Sequence, residues 1–361
     1  MTANAVLLLA DGTSFRGSGI GPNGTSTGEA VFYTGMTGYE EALTDPSYAG
    51  QLLVFTYPLI GNYGVDPEVR QHESVCASGG IFKRVSRHPS HWRSTKSLPD
   101  WFDEEGVRGI EGIDTRSLVI RLREAGTMRS VLAVGDAAVA DAPASLREYV
   151  GEPLGTPALV ESVCVEHEER RGHSPTRIAL LDCGVKENIA AYLAHAGAEV
   201  VEVPYDTTFE ELLALSPTGI VISNGPGDPS ELDVVVETLR RVVDHGKVPT
   251  FGICLGHQLL ALALGAKTYK MKYGHRGGNQ PVQRCDTGEV LITAHNHGYA
   301  VDATTLPRGV KQTMVNLNDG VNEGLRHETL PIESVQFHPE ASPGPGDARY
   351  FFKEFLGRLK A

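Results

Sequence analysis

The feature that most constrains this chain is a regular alternation of short apolar runs with amphipathic segments, beginning at residue 177. The run 177–181 precedes a helical pattern from Glu187, and 200–203 precedes another from Thr208. The run 219–223 precedes a long amphipathic stretch over 231–245, and Pro249-Thr250-Phe251-Gly252-Ile253 leads into helical spacing over 255–264. Short strands separated by helices pair in parallel, because a parallel neighbour is reached only through a crossover and the helix supplies it. An α/β domain with a mainly parallel sheet flanked by helices is therefore expected over 177–361, with its site at the carboxyl ends of the strands.

The first 150 residues follow a different pattern. The apolar run 5–10 meets Asp11-Gly12, a hairpin signal, and Ala30-Val31-Phe32-Tyr33 and Leu52-Leu53-Val54-Phe55 are rich in β-formers. Asp114 is placed to cap a helix that carries Leu118, Val119 and Leu122 on one face and ends at Gly126, and a strand over 128–134 closes the region. The expected organisation is a strand-rich mixed domain over 1–150, a linker over 151–176, where charge and breakers replace apolar periodicity, and the α/β domain over 177–361.

With 361 residues and 41% apolar content the chain can bury two cores. A formal charge of −13 without a basic stripe argues against nucleic acid as a partner. No apolar run approaches the roughly 18 residues of a membrane span, and the amino terminus lacks a signal peptide's positive charge. The five cysteines at 76, 164, 183, 254 and 285 include no Cys-x-x-Cys pair, so neither a disulfide framework nor a zinc site is expected. A reducing cytoplasm is the expected location, and no metal is assigned.

Three segments carry candidate chemistry. Gly252-Ile253-Cys254-Leu255-Gly256-His257-Gln258 sets a cysteine where a strand passes into a helix, with small residues that permit a sharp turn. A helix amino terminus favours thiolate, the attacking form, although an isolated cysteine is usually just buried. Gln336-Phe337-His338-Pro339-Glu340 offers a proton carrier and a carboxylate to orient it, with His257, His295 and His297 as rival histidines. Ser223-Asn224-Gly225-Pro226-Gly227-Asp228-Pro229 follows an apolar run, and its glycines allow backbone N–H groups to approach a ligand or oxyanion, though an ordinary loop has the same composition.

Together these segments resemble the class I, triad-type glutamine amidotransferases. Gly35-Met36-Thr37-Gly38-Tyr39, Leu43-Thr44-Asp45-Pro46-Ser47-Tyr48, Tyr57-Pro58-Leu59-Ile60-Gly61-Asn62, Ile113-Asp114-Thr115-Arg116 and Thr293-Ala294-His295-Asn296-His297-Gly298-Tyr299 extend the resemblance to the carbamoyl-phosphate synthase small subunit over nearly the whole chain. That resemblance implies Cys254 as nucleophile, His338 as acid and base, and Glu340 as its orienter. The N–H groups of Leu255 and Gly227 would face the oxyanion, and glutamine would meet Ser47, Gly225, Gly227, Leu255, Gln258, Asn296, Gly298 and Tyr299. His295 and Tyr299 stand where variation within the family is expected. No cofactor is implied in this chain. ATP and magnesium would belong to a large partner subunit, which receives ammonia and makes carbamoyl phosphate for arginine and pyrimidine biosynthesis. A free-standing thiol hydrolase or a catalytically silent binding subunit are the competing readings.

Overall fold

The Asp11-Gly12 turn acts as its residues dictate, since Gly12 takes a φ of 87° that side chains with a Cβ rarely adopt, and the chain reverses into an antiparallel pair. The computed structural model describes residues 3–153 and 155–359. It divides into two compact units, Met1–Leu154 and Gly155–Ala361.

In the first unit the strands are β1 (Asn4–Leu9), β2 (Ser14–Ile20), β3 (Gly24–Tyr33), β4 (Gln51–Phe55), β5 (Gly79–Ile81), β6 (Gly109–Glu111) and β7 (Met128–Val134). Among the described residues they close into a barrel in the order β1-β2-β6-β5-β4-β3-β7. Local patterning leads to β1, β3, β4 and β7 but not to the closure. That depends on β7 pairing antiparallel with both β1 and β3, contacts between segments far apart in the chain. The expected helix forms over Thr115–Ala125. The Asp114 side chain accepts from Ser117 N–H at its start, and Gly126 ends it at a φ of 96°.

Aromatic side chains pack together in a buried cluster of this unit. Phe55 stacks on Phe82 at 5.2 Å between ring centroids, and Phe82 meets Phe102 at 5.9 Å. Glycine is required beside them, because a Cβ on Gly80 or Gly109 would sit 3.0 Å from the Phe102 ring. Phe102 is fully buried.

The second unit continues with β8 (Glu169–Arg171), β9 (Arg177–Asp182), β10 (Glu199–Pro204), β11 (Gly219–Ile222), β12 (Thr250–Ile253), β13 (Thr268–Arg284), β14 (Val290–Val301), β15 (Val310–Asn316), β16 (Asn322–His327) and β17 (Ile332–Val335). The sheet order among the described residues is β14-β13-β15-β16-β17-β12-β11-β9-β10-β8. The strands β17, β12, β11, β9 and β10 pair in parallel. Antiparallel pairing extends that core at both ends, through β8 on one side and through β16, β15, β13 and β14 on the other. Strand residues alternate between two cores, as the period of 2 requires. Ile178, Leu180, Val221 and Phe251 pack with the helices Glu187–His195 and Tyr350–Leu359. Ala179, Leu181, Ile220 and Ile222 pack with Asp233–His245 and Leu255–Leu264.

Residues 151–176, read from the sequence as a linker, carry the helix Thr156–Glu161 and the strand β8. Thr156 is buried, and its hydroxyl accepts from Asp228 N–H at 2.9 Å. Among the described residues no helix is long and apolar enough to cross a membrane.

Phe102→Ala empties the space kept open by Gly80 and Gly109, so it is expected to cost about 3–5 kcal/mol of stability. The midpoint of urea unfolding measures this, and an unchanged midpoint contradicts the packing described.

Candidate active site

The site grows from the parallel pairing of β12 with β17, in which Gly252 lies opposite Ser334 and Ile253 opposite Val335. Cys254 follows directly, and its N–H donates to Val335 O at 2.9 Å. It caps the helix Leu255–Leu264 with φ 55° and ψ −101°, a backbone that costs a non-glycine residue on the order of 1–3 kcal/mol. The flanking glycines are steric requirements. A Cβ on Gly252 would lie 2.5 Å from Gly256 O, and one on Gly256 would overlap Ile222 O of β11.

Beyond β17 the chain reaches β14 through a single bridge, where His338 N–H donates to Ala294 O at 2.9 Å. This brings Gln336, His338 and Asn296 around the thiol. The Cys254 sulfur lies 3.7 Å from Asn296 O and 3.7 Å from Gln336 Nε2. Gln258, one turn along the helix, donates to Gln336 Oε1 at 3.0 Å and to Tyr299 O at 2.7 Å.

His338 and Glu340 are buried, with Nδ1 and Oε1 2.6 Å apart. Burial opposes charge on the imidazole, but Glu340 and the Cys254 sulfur overcome it and raise the His338 pKa to about 10. With Nδ1 engaged, Nε2 is the nitrogen left for sulfur, and it has no nitrogen or oxygen partner. Glu340 shows the converse balance. Burial raises its pKa, yet Lys186 and His338 together hold it down at about 2.

Lys186 was not singled out by the sequence. It is 2% exposed, with Nζ 3.0 Å from Glu340 Oε1 and also donating to Ala341 O. The available signal was a lysine just after the apolar run of β9, at the carboxyl edge of the parallel sheet. Its backbone N–H donates to Asn224 Oδ1 at 3.1 Å, tying the β9 and β11 loops together.

The rival histidines point elsewhere. His257 meets Ser334 Oγ at 2.8 Å through Nδ1, and burial lowers its pKa to about 3. His295 and His297 lie in β14, and burial, reinforced by nearby histidines, keeps both well below the ordinary histidine range. Gly225 adjoins Leu255, whose Cδ2 would lie 2.8 Å from a Cβ there. Gly227, at φ 92°, packs on Thr156. Gly298 and Tyr299 continue β14 beyond Asn296. The structure thus gathers Cys254, Leu255, Gln258, Asn296, His338 and Glu340 within the second unit. Ser47 belongs to the first unit, buried in the turn Pro46–Tyr48 with its N–H on Asp45 Oδ1 at 2.9 Å.

A thiol on a strained elbow, an imidazole beside it and a carboxylate on the far ring nitrogen form an array suited to acyl transfer. In class, the second unit is a class-I glutamine amidotransferase domain, and that family's model matches residues 179–357. Residues 7–132 match the model of the carbamoyl-phosphate synthase small chain, CPSase domain. The chain is 46% identical to the carbamoyl phosphate synthase small chain of Akkermansia muciniphila, covering 99% of this chain and 98% of that one. It is 45% identical to that of Archaeoglobus fulgidus, over 99% of both. The chain belongs to the carbamoyl-phosphate synthase small-chain family.

Glu340, with its pKa depressed, contributes stability above about pH 4.5 that is lost as pH falls through about 2. His338, with its pKa raised, contributes stability that is complete below about pH 6.5 and lost as pH rises through about 10. Lys186→Met removes one of the cations that hold Glu340 ionised, so the Glu340 pKa rises and acid unfolding moves to higher pH. Leaving a buried carboxylate without its lysine is expected to cost about 3 kcal/mol near neutral pH. Acid and urea titrations followed by circular dichroism measure both effects, and coincident curves for variant and parent contradict them.

Proposed function

We propose that this chain hydrolyses the side-chain amide of glutamine and supplies the ammonia to a large synthetase subunit. The observation that carries the reading is the convergence of Cys254, His338 and Glu340 at the carboxyl ends of β12 and β17, with Nδ1 of His338 2.6 Å from Glu340. The Cys254 sulfur attacks the amide carbon of glutamine, its proton having passed to His338. Leu255 and Gly227 N–H groups receive the developing oxyanion. His338 then gives the proton to the departing amine, so ammonia leaves and a γ-glutamyl thioester remains. Water, deprotonated by His338, attacks the thioester, releasing glutamate and restoring the thiol. An imidazole with a pKa of about 10 carries a proton at neutral pH, which suits it to protonate the leaving group.

In this proposal, which follows the resemblance, the glutamine-binding residues are Ser47, Gly225, Gly227, Leu255, Gln258, Asn296, Gly298 and Tyr299. The names of the relatives support a larger partner, where ATP and magnesium would drive carbamoyl phosphate formation from bicarbonate and the transferred ammonia. Such a heterodimer would serve arginine and pyrimidine biosynthesis in the cytoplasm. Ammonia must pass without loss to water, so the partner interface should be dry and bury at least about 1,200 Å² in total.

Cys254→Ser is expected to abolish glutamate release and glutamine-dependent synthesis by the assembled complex, while synthesis from added ammonia persists. His338→Asn should lower glutaminase turnover at least about a hundredfold, and Glu340→Gln by less. Glutamate release and carbamoyl phosphate formation, measured side by side, decide this. Loss of the ammonia-dependent reaction in a folded, assembled Cys254→Ser complex would overturn the division of labour.

A further inference from the structure

A second cluster of chemically capable side chains lies outside the proposed triad. The β13–β14 register sets His275 directly opposite His297, and the period of 2 along β14 brings His295 to the same face. Glu323 enters from β16. All four residues are buried, and one donor atom from each falls in a group whose members all lie within 4.8 Å of one another. His295 Nδ1 is 3.1 Å from His297 Nε2 and 3.7 Å from Glu323 Oε2, and His275 Nδ1 is 3.7 Å from Glu323 Oε1. In a tetrahedral zinc site with bonds near 2.0–2.1 Å, neighbouring ligand atoms stand about 3.3 Å apart.

The outer hydrogen bonds decide which ring nitrogens face inward. His275 Nε2 meets the carboxylate of Asp319 at 2.9 Å, and His297 Nδ1 meets the carbonyl of Tyr299 at 2.8 Å. Both partners only accept, so those nitrogens carry the hydrogens. His295 Nε2 meets Thr293 Oγ1 at 2.7 Å, and the Thr293 hydroxyl already donates to Gln280 O at 2.9 Å. The threonine oxygen must therefore accept, and His295 Nε2 is protonated as well. A neutral imidazole at each position turns a lone pair inward, at His275 Nδ1, His295 Nδ1 and His297 Nε2, and the carboxylates of Glu323 and Asp319 draw positive charge to the His275 end of the cluster. Asn316 Nδ2 donates to Glu323 Oε1 at 2.9 Å and only distantly to His275 Nδ1, at 3.5 Å. Glu323 Oε2 is fully buried without a hydrogen-bond partner. Lone pairs facing each other at hydrogen-bonding distance, beside an unsatisfied carboxylate oxygen, repel unless a cation lies among them.

We propose that His275, His295, His297 and Glu323 form a buried site for one divalent transition-metal ion of the zinc class. Imidazole donors with one carboxylate favour such an ion over magnesium or calcium, which prefer all-oxygen shells. Hydrogen bonds from the far ring nitrogens to carboxylate, carbonyl and hydroxyl acceptors are the outer shell that orients histidine ligands. The dipositive charge balances the carboxylates of Glu323 and Asp319. Asn296 lies between two of the ligands, so the ion also holds the stretch of β14 whose carbonyl faces the Cys254 sulfur. This inference is independent of glutamine hydrolysis.

The test uses the untagged full-length chain, stripped of metal by a chelator and titrated with Zn²⁺ alone and Co²⁺ alone. One Zn²⁺ per chain should bind with submicromolar affinity and raise the thermal midpoint. Co²⁺ should give the intense visible absorption of a tetrahedral ion without a thiolate charge-transfer band. Affinity should fall at least about tenfold in His295→Gln and Glu323→Gln and stay unchanged in Cys254→Ser. The cobalt spectrum of the unaltered chain reads the ligand set even where a substitution prevents folding. Absence of stoichiometric binding, a thiolate band, or equal affinity in the folded His295→Gln and Glu323→Gln variants would each overturn the proposal.

Discussion

The parallel pairing of β12 with β17 is the constraint on which the rest of the site depends. Cys254 is held at the end of β12 by its N–H bond to Val335 O, and the segment after β17 carries Gln336, His338 and Glu340 past the same sheet edge. Because both strands run the same way, the thiol and the imidazole leave the sheet at one end. The glycines at 252 and 256 then let the chain bend sharply enough to expose sulfur, since a Cβ at either would press on a neighbouring carbonyl. A site of this kind tolerates little variation in register: a slip of one residue would send the cysteine to the opposite face.

Charge is arranged along the same edge as a buried relay. Lys186 from the β9 loop, Glu340 and His338 stand in sequence, with Glu340 Oε1 3.0 Å from the lysine and 2.6 Å from the imidazole. Each ion would be costly alone in the interior, and the row is tolerable because opposite charges are adjacent and hydrogen bonded. The loops that bring Lys186 and Asn224 together are thereby coupled to the loop bearing Gly225 and Gly227, where the oxyanion is proposed to rest. The histidine cluster flanks Asn296 on β14, with His295 before it and His297 after it. Two polar centres therefore share one strand, and its position matters to both.

Several elements were legible from local chemistry alone. Asp114 caps its helix and Gly126 ends it, Asp11-Gly12 turns the hairpin, and the helix after Cys254 runs over Leu255–Leu264, because caps, turns and periodicity act over a few residues. Thr156 was less legible: it lies in a stretch read as a linker, yet it seats Gly227 and bonds Asp228, contacts made across more than 70 residues. The histidine cluster escaped for a related reason. Its members are spread over β13, β14 and β16, and only His295 and His297 are close in sequence.

By itself the sequence determined several of the strands and helices, that a cysteine stands on a strand-to-helix elbow, and that a histidine and a glutamate two residues apart could orient each other. Those properties follow from residue size, backbone freedom and period. Only the tertiary structure decided that seven strands close into a barrel, that His338 rather than His257 stands beside Cys254, and that Lys186 completes the ionic row. Each of these depends on pairing between distant segments. The free energy of such pairing comes from burial and register across the whole sheet, and no local window of the chain contains it.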